Sequence, residues 1–241
     1  SFTVTAKLRT PIFSEPLTFE RVDEDCKVSF ISYNSGKLEY SLDKVTWTAY
    51  TTGITLTSTN PIVYFRGDKA TKYNSDSEST KISCDKKCKV YGNIMSLIDP
   101  THYATLTELP GTYVFHELFK KEDYNSNEFI INHETKDLVL PATTLTSACY
   151  KTMFNGCASL TRAPVLPAPA LVANCYEMMF SGCTKLNYIK CLATSGINTN
   201  SSTASWVDDV SASGTFVRAS ATTVWPRSGE SSIPSGWSVS P

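Results

Sequence analysis

Eight cysteines and three histidines are the residues of this 241-residue chain best suited to metal or nucleophile chemistry. Cys84 and Cys88 enclose Asp85-Lys86-Lys87, a spacing that zinc sites use. No second cysteine pair and no histidine cluster completes a four-ligand set in the sequence. A disulfide from Cys26 to Cys84 or Cys88 is the alternative. Cys149, Cys157, Cys175 and Cys183 recur at matched positions, with Cys191 in the segment that follows. All five read as reduced, buried, small apolar residues. No metal and no cofactor are expected. His116-Glu117 opens an HE pair, but position 120 is lysine, so the HExxH pattern is absent, and His102 and His133 stand apart. GxSxG, P-loop and GxGxxG motifs are missing as well. Asp208-Asp209 and Glu122-Asp123 are sequence neighbours, which on a helix point in different directions and make poor acid/base pairs. They read as solvated surface. The chain is therefore expected not to be an enzyme. The alternative is a glycoside hydrolase whose two carboxylates meet only in space.

The cysteines belong to a larger pattern. Residues 139–160 read VLPATTLTSACYKTMFNGCASL and residues 165–186 read VLPAPALVANCYEMMFSGCTKL, identical at twelve of 22 positions without a gap. Self-similarity at a period of 26 residues is the signature of stacked repeats, which bury their apolar faces only against one another. In each copy Leu-Pro ends regular pairing. Leu145, Cys149, Tyr150, Met153 and Phe154, like Leu171, Cys175, Tyr176, Met179 and Phe180, then follow at offsets of four, one, three and one. That spacing predicts a short helix. Gly156 and Gly182 would stop it, and TRAPVL and NYIKCL would form a short strand. YVFHELFKK (113–121) reads as a diverged first copy. SWVDDV (205–210), GTFVRAS (214–220) and GWSV (236–239) would close the stack, with Trp206, Trp225 and Trp237 sealing its end.

The pattern LP-x(8)-CYxxMFxGCxxL, with LPATTL at 140–145, GCASL at 156–160 and IPSGW at 233–237, resembles the BspA-like leucine-rich repeats of gut Bacteroidetes surface proteins. The resemblance covers residues 138–241. It implies a repeat solenoid over 91–241 and an adhesion role at the cell surface, as an outer-membrane-anchored lipoprotein or a secreted protein. It brings no catalytic residues.

The first 90 residues differ in texture. LTFERV, CKVSFIS, KLEYSLD, VTWTAYTT, ITLTS, IVYFRG and TKISC are short alternating runs separated by turn residues, the pattern of an antiparallel Ig-like sandwich over 1–90. Asp43-Lys44 would be one turn, and 71–80 a polar loop. Residues 91–112 would bridge the two parts through short helical turns. The expected fold class is thus mixed β and α/β: an antiparallel sandwich followed by a leucine-rich-repeat solenoid. Apolar residues at 41% suffice for a core. A net charge of −1 gives no reason to expect nucleic acid as a partner. No apolar run is long enough to span a membrane.

Binding is then the expected function, by a monomer, toward a host or microbial surface protein or glycan. Arg162, Tyr188 and Lys190 are candidates on the repeat strands, because Arg and Tyr are enriched at binding hot spots. Trp47 reads as sandwich core. Tyr50, on the opposite strand face, is a candidate for stacking on a sugar if the sandwich acts as a carbohydrate-binding module.

Overall fold

The computed structural model describes residues 14–31, 37–68, 79–121, 129–221 and 223–241. Most of the polar loop read at 71–80, and the Glu122-Asp123 pair, lie outside them.

Alternating runs fold into two facing sheets. The larger takes β1 (Leu17–Arg21), β3 (Leu38–Ser41), β4 (Thr48–Ala49), β6 (Ile62–Gly67), β8 (Cys88–Asn93), β9 (Ile130–Asn132) and β10 (Leu138–Val139). The smaller orders β5 (Ile54–Leu56), β2 (Cys26–Ile31) and β7 (Lys81–Cys84). Phe19 and Phe65 on one sheet share a core with Val28, Phe30 and Ile82 on the other, and the Phe30 and Phe65 ring centroids lie 4.8 Å apart. Pairing is antiparallel except at the β8 edge, where β9 and β10 join in parallel. A buried 3-10 turn at Ile94–Leu97 follows β8. Asn93 caps it, and Ser96 Oγ accepts from Leu17 N–H and donates to the Phe65 carbonyl.

The expected α/β solenoid is not what the repeats form. Among the described residues there is no α-helix, and the predicted helices are chains of turns. The backbone enters the left-handed region at every fourth residue: Ala148, Thr152 and Gly156 in one copy, Asn174, Met178 and Gly182 in the next. An α-helix cannot pass such residues. Amide protons alternate in their use. Cys149, Lys151, Met153 and Asn155 donate three residues back within their own turns. Ala148, Tyr150, Thr152, Phe154 and Gly156 donate to Ala173, Cys175, Glu177, Met179 and Ser181 of the following layer. Repeat-to-repeat bonding thus replaces the i→i−4 ladder of a helix.

The apolar face itself lies where the spacing put it. Tyr150, Met153, Phe154 and Leu160, with Tyr176, Met179, Phe180 and Leu186, are all buried. They stack in columns: Phe115, Tyr150 and Tyr176 at 5.8 and 6.1 Å, and Phe119, Phe154 and Phe180 at 5.3 and 5.5 Å. Residues 113–121 supply the first layer, since Phe115 N–H donates to Cys149 and Phe119 N–H to Met153. That layer rests on the two-sheet body. Ile82 N–H donates to the Leu118 carbonyl, and the Phe19 and Phe119 rings lie 6.4 Å apart. At the far end Phe180 N–H donates to Trp206, whose ring stacks on Trp225 at 5.3 Å. Residues 205–209, too, are turns and not the predicted helix. No described helix is long and apolar enough to cross a membrane.

Candidate binding face

Each layer returns through an extended segment, and these segments line up in parallel. β11 (Tyr188–Cys191) pairs with β12 (Gly214–Arg218), and β12 with β13 (Trp237–Ser240). The preceding copy contributes bridges and not a full strand: Arg162 pairs with Tyr188, and Leu166 with Cys191. Inward positions Ile189, Phe216 and Trp237 are buried, and the intervening side chains face out. In parallel register the outward positions form rows. One holds Arg162, Tyr188, Thr215 and Ser238; the other holds Lys190, Val217 and Ser240.

Asn132 splices this face onto β9. Its Oδ1 accepts from the Thr161 and Arg162 amides at 2.9 and 3.0 Å, and its Nδ2 donates to the Arg162 carbonyl at 2.8 Å. Arg162 itself is held by Asp137 at 2.7 Å. The outer side of β1, β8 and β9 carries a polar network that sequence reading missed. Tyr91 donates to Glu20 at 3.1 Å and accepts from Lys136 at 3.2 Å, His133 lies 3.6 Å from Glu20, and Lys89 sits between Glu20 and Glu134. Burial and the Glu20 carboxylate push the Tyr91 phenol above its usual range. Glu20 and Lys89 are register partners from distant parts of the chain, so no local motif announces them.

The structure brings Arg162, Tyr188 and Lys190 to one face and leaves Tyr50 in the two-sheet body. There the Tyr50 ring packs on Phe30 and Phe65, and its hydroxyl accepts from Phe30 N–H at 2.8 Å. Trp47, expected in the core, is only half-buried. Arg66 lies over its ring at 4.1 Å and is tied to Glu39 at 2.7 Å, so an ion pair covers that ring face. The Asp43-Lys44 turn forms with Lys44 left-handed. Amides of Thr46 and Val45 donate to Asp43 and hold its carboxyl at about 2. Asp208 and Asp209 are exposed.

The cysteines divide into two kinds. Cys157 and Cys183 point into the layers, and each thiol lies 3.1 Å from the carbonyl of a phenylalanine one layer back, Phe119 and Phe154. Burial pushes Cys175, Cys183 and Cys191 up to about 12, and Cys149 and Cys157 above their usual range as well. These thiols are inert packing atoms. Cys26, Cys84 and Cys88 instead converge, with all three sulfurs within 4.8 Å of one another. Hydrogen bonds from Cys84 and Cys88 outweigh burial and hold Cys26 well below the usual thiol range, while burial drives Cys84 and Cys88 up. No protein-family profile matches the chain, and neither a curated protein nor a solved structure is significantly similar to it.

Proposed function

We propose that this chain is a non-catalytic binding protein of the cell surface, or a secreted one, that offers the outer face of its parallel strand row to a host or microbial surface protein or glycan. The observation that carries this reading is the in-register row Arg162–Tyr188–Thr215–Ser238, with Lys190 beside it. Successive layers repeat the same outward positions, which makes an extended, side-chain-tunable surface. Tyr188 and Arg162 are the types that anchor interfaces. The export and adhesion parts of the reading draw on the resemblance of the repeats to BspA-like surface proteins.

The test is a binding screen of the chain against mucin-type glycans and immobilised collagen, fibronectin and laminin. Binding to at least one probe is expected. The Arg162→Ala/Tyr188→Ala/Lys190→Ala variant, folded by circular dichroism, should weaken it by about tenfold or more, at least 1.4 kcal/mol. Unchanged affinity would move the contact to the two-sheet body and make Tyr50 and Trp47 the next residues to substitute.

A further inference from the structure

We propose that Cys26, Cys84 and Cys88 form a site for one thiophilic metal ion of the zinc class, bound through all three sulfurs. The site is independent of the strand row. The Cys84–Cys88 spacing alone offers two ligands. The fold supplies the third from β2, far away in sequence, and sets the three sulfurs within 4.8 Å of one another. A tetrahedral zinc with Zn–S bonds of about 2.3 Å needs sulfur pairs about 3.8 Å apart. Each pair therefore closes by roughly 1 Å or less, within reach of χ1 adjustments. Among the described residues no other group of three or more Cys, His, Asp or Glu side chains is gathered this way.

The surroundings fit a bound ion better than plain packing. β2 and β7 belong to the small sheet and β8 to the large one, so an ion at this point would staple the two sheets at one end of their shared core. The turn between Cys84 and Cys88 is already fixed to the start of β2. Lys27 N–H donates to Asp85 Oδ1 at 2.6 Å, and Asp85 N–H donates to the Lys27 carbonyl at 3.3 Å. The Lys86 carbonyl lies 3.3 Å from Cys26 Sγ. The two Asp85 bonds fix the turn that carries Cys84 and Cys88 before an ion arrives, whereas the Cys26 sulfur exchanges its carbonyl contact for the ion. The repeat cysteines, by contrast, are not gathered: Cys157 and Cys183 each meet a carbonyl of the neighbouring layer, and among the described residues no three of the repeat sulfurs converge. Asp85 and Lys87 are exposed in the turn that covers the cluster, which gives an entry route beside buried sulfurs. Binding takes up the Cys26 thiolate, displaces the Cys84 and Cys88 protons to solvent, and leaves three thiolates around one divalent cation, a net charge of −1. Lys87 stands in the same turn, beside Lys86, which pairs with Glu24 at 3.2 Å. Among the described residues no fourth ligating side chain joins the group, so the fourth position goes to water.

The test uses the full chain, reduced and freed of metal, then titrated with zinc(II) and separately with cobalt(II). One equivalent of zinc should remain after dialysis, by elemental analysis. Cobalt should give intense near-ultraviolet thiolate-to-metal absorption that saturates at one equivalent. Cys26→Ser keeps the Cys84–Cys88 pair intact and should weaken binding by about 100-fold or more, since removing even an outer partner of a ligand costs 10–100-fold. Absence of tight zinc, equal binding by Cys26→Ser, or a disulfide among these three cysteines in protein isolated without reductant overturns the proposal. If Cys26→Ser does not fold, the wild-type cobalt spectrum decides. Thiolate charge transfer supports the site, and weak oxygen- or nitrogen-type bands alone refute it.

Discussion

The phenol of Tyr150 is buried, yet its hydroxyl has no hydrogen-bond partner among the described residues. Phe115 fills the same column one layer earlier without a hydroxyl. A buried, unpaired polar group costs about 1–3 kcal/mol. Tyr150→Phe should therefore leave stability unchanged or raise it, by up to about 1 kcal/mol in urea unfolding. A loss of that size would mean the hydroxyl is bonded after all. Glu117 behaves in the opposite sense. Burial works to raise its pKa, but Lys120, Ser79 and Lys81 outweigh it and hold the carboxyl at about 2, below its ordinary 4.5. A depressed pKa stabilises the fold above the unfolded value and loses that effect as pH falls through the folded one. Melting temperature should thus decline between about pH 4.5 and 2. Glu117→Gln should lower the melting temperature at neutral pH and flatten that decline. An unchanged acid limb in the variant would assign it to other carboxylates.

At the scale of elements, the sequence identified the right residues and the wrong backbone. Offsets of four, one, three and one suit one face of a helix, but they suit a chain of four-residue turns equally well. What separates the two is the left-handed φ at Ala148, Thr152, Asn174 and Met178. Of these only asparagine is a residue type that favours it, and Gly156 and Gly182 read equally well as helix stops. Bonding between layers offsets the local cost, and no pattern along one repeat displays bonds made to the next. Strand alternation, by contrast, was legible, because each sheet buries one face and the period is two. The limits there are instructive as well. Val45 is exposed and Trp47 half-buried, since their run contributes only the two-residue strand β4 at the sheet edge. The Cys84–Cys88 spacing was visible in the sequence, whereas Cys26 joins that pair only once β2 faces β8. Because the buried face is independent of the backbone type, Phe154→Ala should cost about 3–5 kcal/mol. Phe154 stacks on Phe119 and Phe180, so truncation opens a hole shared by three layers. A loss under about 1 kcal/mol in denaturant unfolding would show that the columns are not packed as described.

Across the whole molecule the layers act as one ladder. It starts on the two-sheet body at Phe115 and Phe119, passes through both 26-residue copies, and ends under the tryptophans. The outward rows of Arg162, Tyr188 and Lys190 exist only because successive layers keep this register. The amide of one aromatic in each layer binds a carbonyl in the next: Phe115 to Cys149, Tyr150 to Cys175, and Tyr176 to Ser202. Scalar couplings across hydrogen bonds, measured by NMR on deuterated protein, identify donor and acceptor directly. Couplings from Phe115, Tyr150 and Tyr176 nitrogens to the Cys149, Cys175 and Ser202 carbonyl carbons are expected. Couplings from Tyr150 to Thr146, and from Tyr176 to Val172, four residues back as in an α-helix, would contradict the layered account and the binding face built on it.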